Sequence, residues 1–341
     1  MASDTLEPAV AALLATLKRG AAGFRLEPLS ASGNNRVFTV HCDGETLVLK
    51  WYFHDDSDTR DRLGAEYAFL AHAWNMGLRC IPQPLGKDLS THLALYEFVE
   101  GYKLEAKQVD EPAMQQAAEF LAQLNSQQSR AAATALPQAS EACFSIAEHF
   151  AMVDARLARL VHMPVEVDID RAAVEFVSRL NAYWHGTKAR LLQGCAALGL
   201  NPDAVLPASE RCLSPSDFGF HNALVRLDGS LCFIDFEYAG WDDPAKAVGD
   251  FFSHPGVAVP HTQFGPFLTH AVAPFDEPQR MAERISLLEP ISQVKWCCII
   301  LNEFLPAAAR RRNFANPGAD PITRKQRQLD KVTTLFESLP H

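Results

Sequence analysis

Leu213-Ser214-Pro215-Ser216-Asp217-Phe218-Gly219-Phe220-His221-Asn222 runs into Phe233-Ile234-Asp235-Phe236-Glu237 through a segment patterned as a tight hairpin. Ala223–Leu227 and Leu231–Asp235 read as strands flanking Asp228-Gly229, and Asp-Gly is a favoured two-residue hairpin turn. That register places Leu227 opposite Ser230, Leu224 opposite Phe233, and Asn222 opposite Asp235. Directly opposed residues share a face, with Cβ atoms roughly 5 Å apart. Two oxygen-bearing side chains are thus expected to meet at the open end of the hairpin, with Asp217 just before them. Hard cations take such oxygens together with substrate phosphates and water. The spacing predicts a metal–phosphate site.

A second segment patterned as a hairpin lies upstream. Ser30-Ala31-Ser32-Gly33-Asn34-Asn35-Arg36 is small and polar, and it opens onto Val37-Phe38-Thr39-Val40-His41-Cys42. Asp43-Gly44 is again a hairpin turn, and Thr46-Leu47-Val48-Leu49-Lys50-Trp51 returns. Val37 then lies opposite Lys50, and Val48 shares their face by the two-residue period. A cation beside two apolar residues under a flexible loop suits a nucleotide's phosphates and adenine. Gly33 allows backbone N–H groups close to phosphate oxygens.

Asp55-Asp56-Ser57-Asp58 reads as an acidic cap before a helix with Leu63, Tyr67, Leu70 and Trp74 on one stripe, stopped by Gly77. Glu66 borders that stripe and is the candidate partner of Lys50. After Pro82 and Pro84, Leu93–Val99 reads as a strand, broken by Glu100-Gly101. Each part has a plain structural reading when taken singly. Lys50 is then a strand lysine with its head in water, Glu66 a surface helix residue and Gly33-Asn34-Asn35 a turn. The ordered set is far more specific than any one of them.

The set resembles the kinase fold and, within it, the aminoglycoside phosphotransferase and choline kinase group. In phosphoryl-transfer enzymes of this kind an Asp is followed five residues on by a Mg²⁺-binding Asn, and later by a second Mg²⁺-binding Asp. Asp217, Asn222 and Asp235 match those places, and Gly33-Asn34-Asn35-Arg36-Val37-Phe38 resembles the loop of the aminoglycoside kinases. Ile234–Gly240, with Asp243-Pro244 and Asp250, looks like the small-molecule kinases, and Ile-Asp-Phe-Glu-Tyr leans toward choline kinases. Protein kinases would show Asp-Phe-Gly at Asp235 and Ala-Pro-Glu beyond it, and this chain has neither there.

The resemblance implies an α+β, bilobal protein-kinase-like fold. A small β-rich N-lobe spans residues 1–98, a hinge 99–101, and a larger, mostly helical C-lobe 102–341. It implies ATP and Mg²⁺ as cofactors and a small-molecule hydroxyl as acceptor. Asp217 would be the catalytic base, and Asn222 and Asp235 the metal ligands. The nucleotide would be held by Lys50, Glu66, Ser32, Gly33, Asn34, Asn35, Val37, Val48 and Leu224, with the backbone near Glu97 and Val99 as the hinge. Asp250 would brace the catalytic loop, and His221 has a packing or hydrogen-bonding role. One departure stands out: Pro215 holds the place of the family's His, two residues before the catalytic Asp. The alternative to an active kinase is therefore a nucleotide-binding pseudokinase serving as a scaffold or regulator.

Composition agrees with a soluble enzyme. The chain has 341 residues, room for a sizeable core. A net charge of −10 argues against a nucleic-acid surface. No apolar run approaches the ~18 residues of a membrane-spanning helix. The eight cysteines show no Cys-x-x-Cys pair, which fits reduced thiols and a cytoplasmic location, with Cys297-Cys298 filling core. Arg310-Arg311-Arg312 reads as a solvated helix end. From about residue 102 the pattern turns helical, with Glu111–Asn125, two long helices over 141–200 parted near Pro164, and helix again over 262–338 with breaks at Pro290 and Pro317. Glu237, Asp242 and Asp243 either face a cationic acceptor or are structural. Lys295, Asn302 and Glu303 either bind a sugar's hydroxyls or form a satisfied core network.

Overall fold

The computed structural model describes residues 6–20, 22–31, 35–54, 60–306 and 320–340. Along the chain come α1 (Leu6–Thr16), β1 (Phe24–Ala31), β2 (Asn35–Cys42), β3 (Glu45–Tyr52), α2 (Arg62–Asn75), β4 (Pro84–Asp88), β5 (Leu93–Glu97) and β6 (Tyr102–Lys103). Then follow α3 (Glu111–Leu124), α4 (Gln127–Ala132), α5 (Ile146–Val161), α6 (Asp168–Ala197), β7 (Cys212–Ser214), β8 (Ala223–Val225), β9 (Leu231–Phe233) and β10 (Gly240–Asp242). The remainder is helical: α7 (Pro244–Ser253), α8 (Phe264–Val272), α9 (Pro278–Ile300) and α10 (Pro321–Glu337). By compactness the chain divides into two units, residues 1–140 with 215–241 and residues 141–214 with 242–341.

In the first unit β1 to β5 form a five-stranded antiparallel sheet in the order β1-β2-β3-β5-β4. Asp43 and Gly44 both have positive φ, 48° and 78°, as a two-residue primed turn requires. The register that follows is the expected one, with Val37 opposite Lys50. One face carries Val40, Cys42, Leu47, Leu49, Leu93 and Leu95, packed against Leu6, Val10, Leu13 and Leu14 of α1. Each such side chain contributes about 1.5–3 kcal/mol on burial. By the strand period the other face presents Val37, Val48, Lys50, Tyr52, Ala94 and Tyr96.

Helix α2 starts where the Asp61 carboxylate accepts the Gly64 N–H at 2.8 Å, and it ends at Gly77, whose φ is 90°. The acidic run at 55–58 lies outside the described residues. The buried stripe is Leu63, Glu66, Phe69, Leu70 and Ala73, while Tyr67 and Trp74 are half-buried. Glu66 therefore sits within the buried face rather than at its border.

Strand β5 ends at Glu97, short of Val99, and the chain does not turn helical at 102. Tyr102 and Lys103 first pair with Val225 and Leu224. Gly101 permits this approach, since a Cβ there would lie 2.6 Å from the Val225 carbonyl oxygen.

The second hairpin differs from its expected register by one residue: Ala223 pairs with Phe233, Leu224 with Cys232 and Val225 with Leu231. Leu227, Asp228 and Gly229 form the loop, closed by Arg226 N–H to the Ser230 oxygen at 2.8 Å. The reason is local. A two-residue primed turn needs positive φ at both positions, and here only Gly229 has it, at 83°. The Asp228 carboxylate instead accepts the Ser230 N–H and hydroxyl, at 2.9 and 2.7 Å, which holds an Asx turn. Leu227, expected in the strand, is 82% exposed.

The second unit is built on helices. Ser145 and Glu148 form a capping box at the start of α5, and Pro164 lies in the break between α5 and α6. Pro290 breaks nothing: α9 continues through it, packed against α5, α6, α7, α8 and α10. Packing on those neighbours offsets the lost backbone hydrogen bond. The run 310–312 and Pro317 lie outside the described residues. Among the described residues, no helix is long and apolar enough to cross a membrane.

Candidate active site

Lys50 is the centre of the site. Its ammonium donates to Glu66 Oε2 at 2.7 Å and to Asp235 Oδ1 at 2.8 Å. Glu66 Oε2 also accepts the Tyr52 hydroxyl at 2.6 Å, and Glu66 Oε1 accepts the Phe236 N–H at 3.2 Å. One carboxylate thus ties β3, α2 and the segment that carries Asp235. Burial by itself would lower the Lys50 pKa, but Glu66 and Asp235 outweigh it and raise it well above the usual value. Lys50 is therefore held charged. Removing one member of such a buried pair costs about 3–5 kcal/mol.

Asp217 stands in a strained turn. Ser216 and Asp217 have φ of 45° and 41°, a left-handed conformation that disfavours residues with a Cβ. Such strain, about 1–3 kcal/mol per residue, persists only where surroundings enforce it. Here Phe218 and Phe220 are buried on either side of Gly219, and the Asn222 amide donates to the Asp217 carbonyl at 3.1 Å. His221 Nε2 lies 3.5 Å from Asp217 Oδ1, and the His221 carbonyl accepts Lys103 Nζ at 2.9 Å.

Because the register is shifted, Asn222 faces Ile234, whose N–H it accepts at 2.8 Å, and Asp235 falls one residue beyond. Asp235 leaves the strand at a φ of 69°. Phe236 anchors it, stacked on Phe69 at 5.0 Å between ring centroids.

Of the expected nucleotide residues, Val37 and Val48 are half-buried on the Lys50 face, and Leu224 is half-buried opposite Lys103 across β6. Glu97 is fixed to Gln83, whose N–H its carboxylate accepts at 3.0 Å, and Val99 is half-buried beyond the end of β5. Ser32, Gly33 and Asn34 lie outside the described residues. Asn35 is buried, and its amide donates to Glu237 Oε2 at 2.6 Å and accepts the Phe53 N–H at 3.3 Å. Its side chain is thus engaged within the protein.

The other acidic candidates are also engaged. Asp242 pairs with Lys246, and Asp243 with Arg284 and His149, all buried. Lys295 pairs with Asp250, which also accepts Trp296 Nε1 at 3.2 Å, and Glu303 pairs with Arg324 at 3.2 Å. Lys295 and Glu303 are thus each buried in an ion pair, and Asn302 is half-buried in a short 3-10 turn. Sequence reasoning passed over Tyr52, Tyr96 and Lys103. The signal for Tyr52 was available, since it follows Lys50 by the strand period of two.

Among curated proteins none matches the chain. Among solved structures it is similar to a choline/ethanolamine kinase family protein from Mesorhizobium loti, at 18% identity and a TM-score of 0.59, covering 97% of this chain and 94% of that one. It is also similar to a spectinomycin phosphotransferase in complex with ADP and spectinomycin, at 12% identity and TM-score 0.53, covering 96% and 98%. An ADP-bound aminoglycoside phosphotransferase gives 14% identity and TM-score 0.55, covering 98% and 99%. At these identities the likeness is one of fold: a five-stranded antiparallel sheet followed by a mostly helical region. The sequence itself matches the phosphotransferase enzyme family over residues 25–283, and this chain belongs to that family.

Proposed function

We propose that this protein moves the γ-phosphoryl of ATP to a hydroxyl of a small molecule: an aminoglycoside, an amino alcohol or a sugar. The observation that carries this is Lys50 bonded at once to Glu66 and to Asp235, residues 16 and 185 positions away. Residues 1–98 would bind the nucleotide, 99–101 would be the hinge, and 102–341 would hold the catalytic hairpin and the acceptor.

The donor set suits Mg²⁺. The Asn222 amide nitrogen is spent on Asp217, so its oxygen is the end available as a ligand, and Asp235 adds a carboxylate that is 31% exposed. Oxygen donors of this kind fit a hard divalent cation. Asn222 and Asp235 would hold Mg²⁺, which when bound neutralises charge on the phosphates.

Lys50, aligned by Glu66, would neutralise the α/β-phosphates. Asp217 would orient the acceptor hydroxyl and take its proton. Ser32, Gly33, Asn34 and Asn35 would meet the phosphates through their backbone, and Val37, Val48 and Leu224 would flank the adenine near Glu97 and Val99. Because the transition state is loose, positioning and charge neutralisation supply most of the catalysis. A cationic acceptor gains nothing from Asp242 or Asp243, whose carboxylates are already paired.

The test is transfer from γ-labelled ATP with Mg²⁺ into pooled aminoglycosides, amino alcohols and sugars. Wild-type protein should label one pool, and Asp217→Asn should lose that product by a factor on the order of 10²–10⁴. Equal labelling by Asp217→Asn would refute the assignment. The pseudokinase alternative draws its support from Pro215, and it predicts tight Mg·ATP binding with no labelled product in any pool.

A further inference from the structure

We infer that Tyr52 is a positioning residue for phosphoryl transfer, acting through Glu66 on Lys50; this rests on the kinase reading above. Tyr52 follows Lys50 by two positions on β3, so both side chains leave the same face of the sheet. The Tyr52 hydroxyl lies 2.6 Å from Glu66 Oε2, the oxygen that also accepts Lys50 Nζ. The Tyr52 ring centroid lies 5.2 Å from the same ammonium.

The direction of the chain follows from proton counting. A phenol has one proton, and beside a carboxylate that proton is donated. The Tyr52 oxygen can then only accept, so its 2.7 Å contact with the Tyr96 hydroxyl is donated by Tyr96. The order is Tyr96 to Tyr52 to Glu66, with Lys50 donating to Glu66 from its own side.

Tyr52 and Tyr96 are each 3% exposed and Glu66 2%, so these bonds are shielded from water. Both tyrosines are pushed up in pKa, by burial first and by Glu66 next, which keeps the hydroxyls protonated as donors. Glu66 Oε1 is bound to Phe236 N–H, so the Tyr52 bond removes the rotation the carboxylate would otherwise retain. Its effect is to hold Lys50 in one place. A phenylalanine would fill nearly the same volume, so the hydroxyl's contribution can be isolated.

The experiment measures Mg·ATP and adenosine binding by calorimetry for wild type, Tyr52→Phe, Glu66→Gln and the double variant, with Tyr96→Phe as a second probe. Tyr52→Phe should weaken Mg·ATP about tenfold, the weight of one charge-assisted hydrogen bond. Adenosine, which has no phosphate, should bind as before. In the Glu66→Gln background the Tyr52→Phe change should have a much smaller effect, since the amide oxygen still accepts but the charge that strengthens the bond is gone. Tyr96→Phe should give a smaller loss of the same kind.

Three results would each overturn the inference: Mg·ATP bound by Tyr52→Phe as by wild type, adenosine weakened in parallel, or the same loss persisting in the Glu66→Gln background. A wild-type protein that prefers adenosine to Mg·ATP would instead overturn the kinase reading, and this inference with it.

Discussion

Asp243 has no exposed surface, and its carboxylate accepts both terminal nitrogens of Arg284, at 2.7 and 2.6 Å, together with His149 Nε2 at 2.9 Å. It also caps α7 through the Ala245 N–H at 2.8 Å. Burial would raise its pKa, but Arg284 and His149 outweigh burial and hold it well below the usual carboxylate value of 3.8. A depressed folded pKa contributes stability that is present above the unfolded value and lost as pH falls below it, at about 1.4 kcal/mol per pH unit. Asp243→Asn should therefore lower stability by about 3–5 kcal/mol at pH 7, leaving Arg284 buried without its counter-charge. It should also flatten the loss of stability on acidification below pH 4. Urea unfolding across pH 2–7 checks both, and an unchanged acid limb would count against the pairing. None of this is legible in the sequence, because Arg284 and His149 lie 41 and 94 positions from Asp243. Lys50 and Glu66 are legible because a primed Asp-Gly turn sets the register of one and a helical stripe places the other.

Among the elements, the two hairpins show what a turn motif can and cannot settle. Asp43-Gly44 and Asp228-Gly229 look alike, yet only the first adopts positive φ at both residues. Ser230 makes the difference by bonding the Asp228 side chain, and the resulting one-residue slip moves every facing pair. The Asp217 and Asp235 segments are nevertheless packed together through the phenylalanines beside them. Phe120 of α3 lies 4.9 Å from Phe233, 5.5 Å from Phe218 and 6.2 Å from Phe236, all between ring centroids. Phe120→Ala should cost about 3–5 kcal/mol, read as a lower urea midpoint at unchanged slope. Mg·ATP turnover should fall as well, since the cavity loosens the neighbours of both Asp217 and Asp235. A loss under about 1 kcal/mol would show that this cluster does not brace the site. Pro290 marks the same limit in a helix, where packing on five neighbouring helices overrides a residue that reads as a break.

Across the whole molecule, the order of parts is what the sequence conveys best: the Lys50 strand, the Glu66 helix, the strand that ends at Glu97 and the hairpin between Asn222 and Asp235. The grouping of residues 215–241 with 1–140 is harder to read, because it depends on Phe218, Phe233 and Phe236 meeting Phe69 and Phe120 from far along the chain. Among the described residues no cysteine is in a disulfide, and burial pushes Cys143, Cys232 and Cys298 up to about 12, so these thiols stay protonated at neutral pH. The chain belongs to a family of phosphotransferases, and the function proposed above requires Asp235 to hold a metal-bound nucleotide. The most direct measurement is ATP binding by wild type and Asp235→Ala as Mg²⁺ is titrated. Affinity should rise with Mg²⁺ in the wild type and stay flat in Asp235→Ala, with Mg²⁺-dependent turnover abolished. Equal Mg²⁺ dependence in the two proteins would contradict a metal-holding role for Asp235.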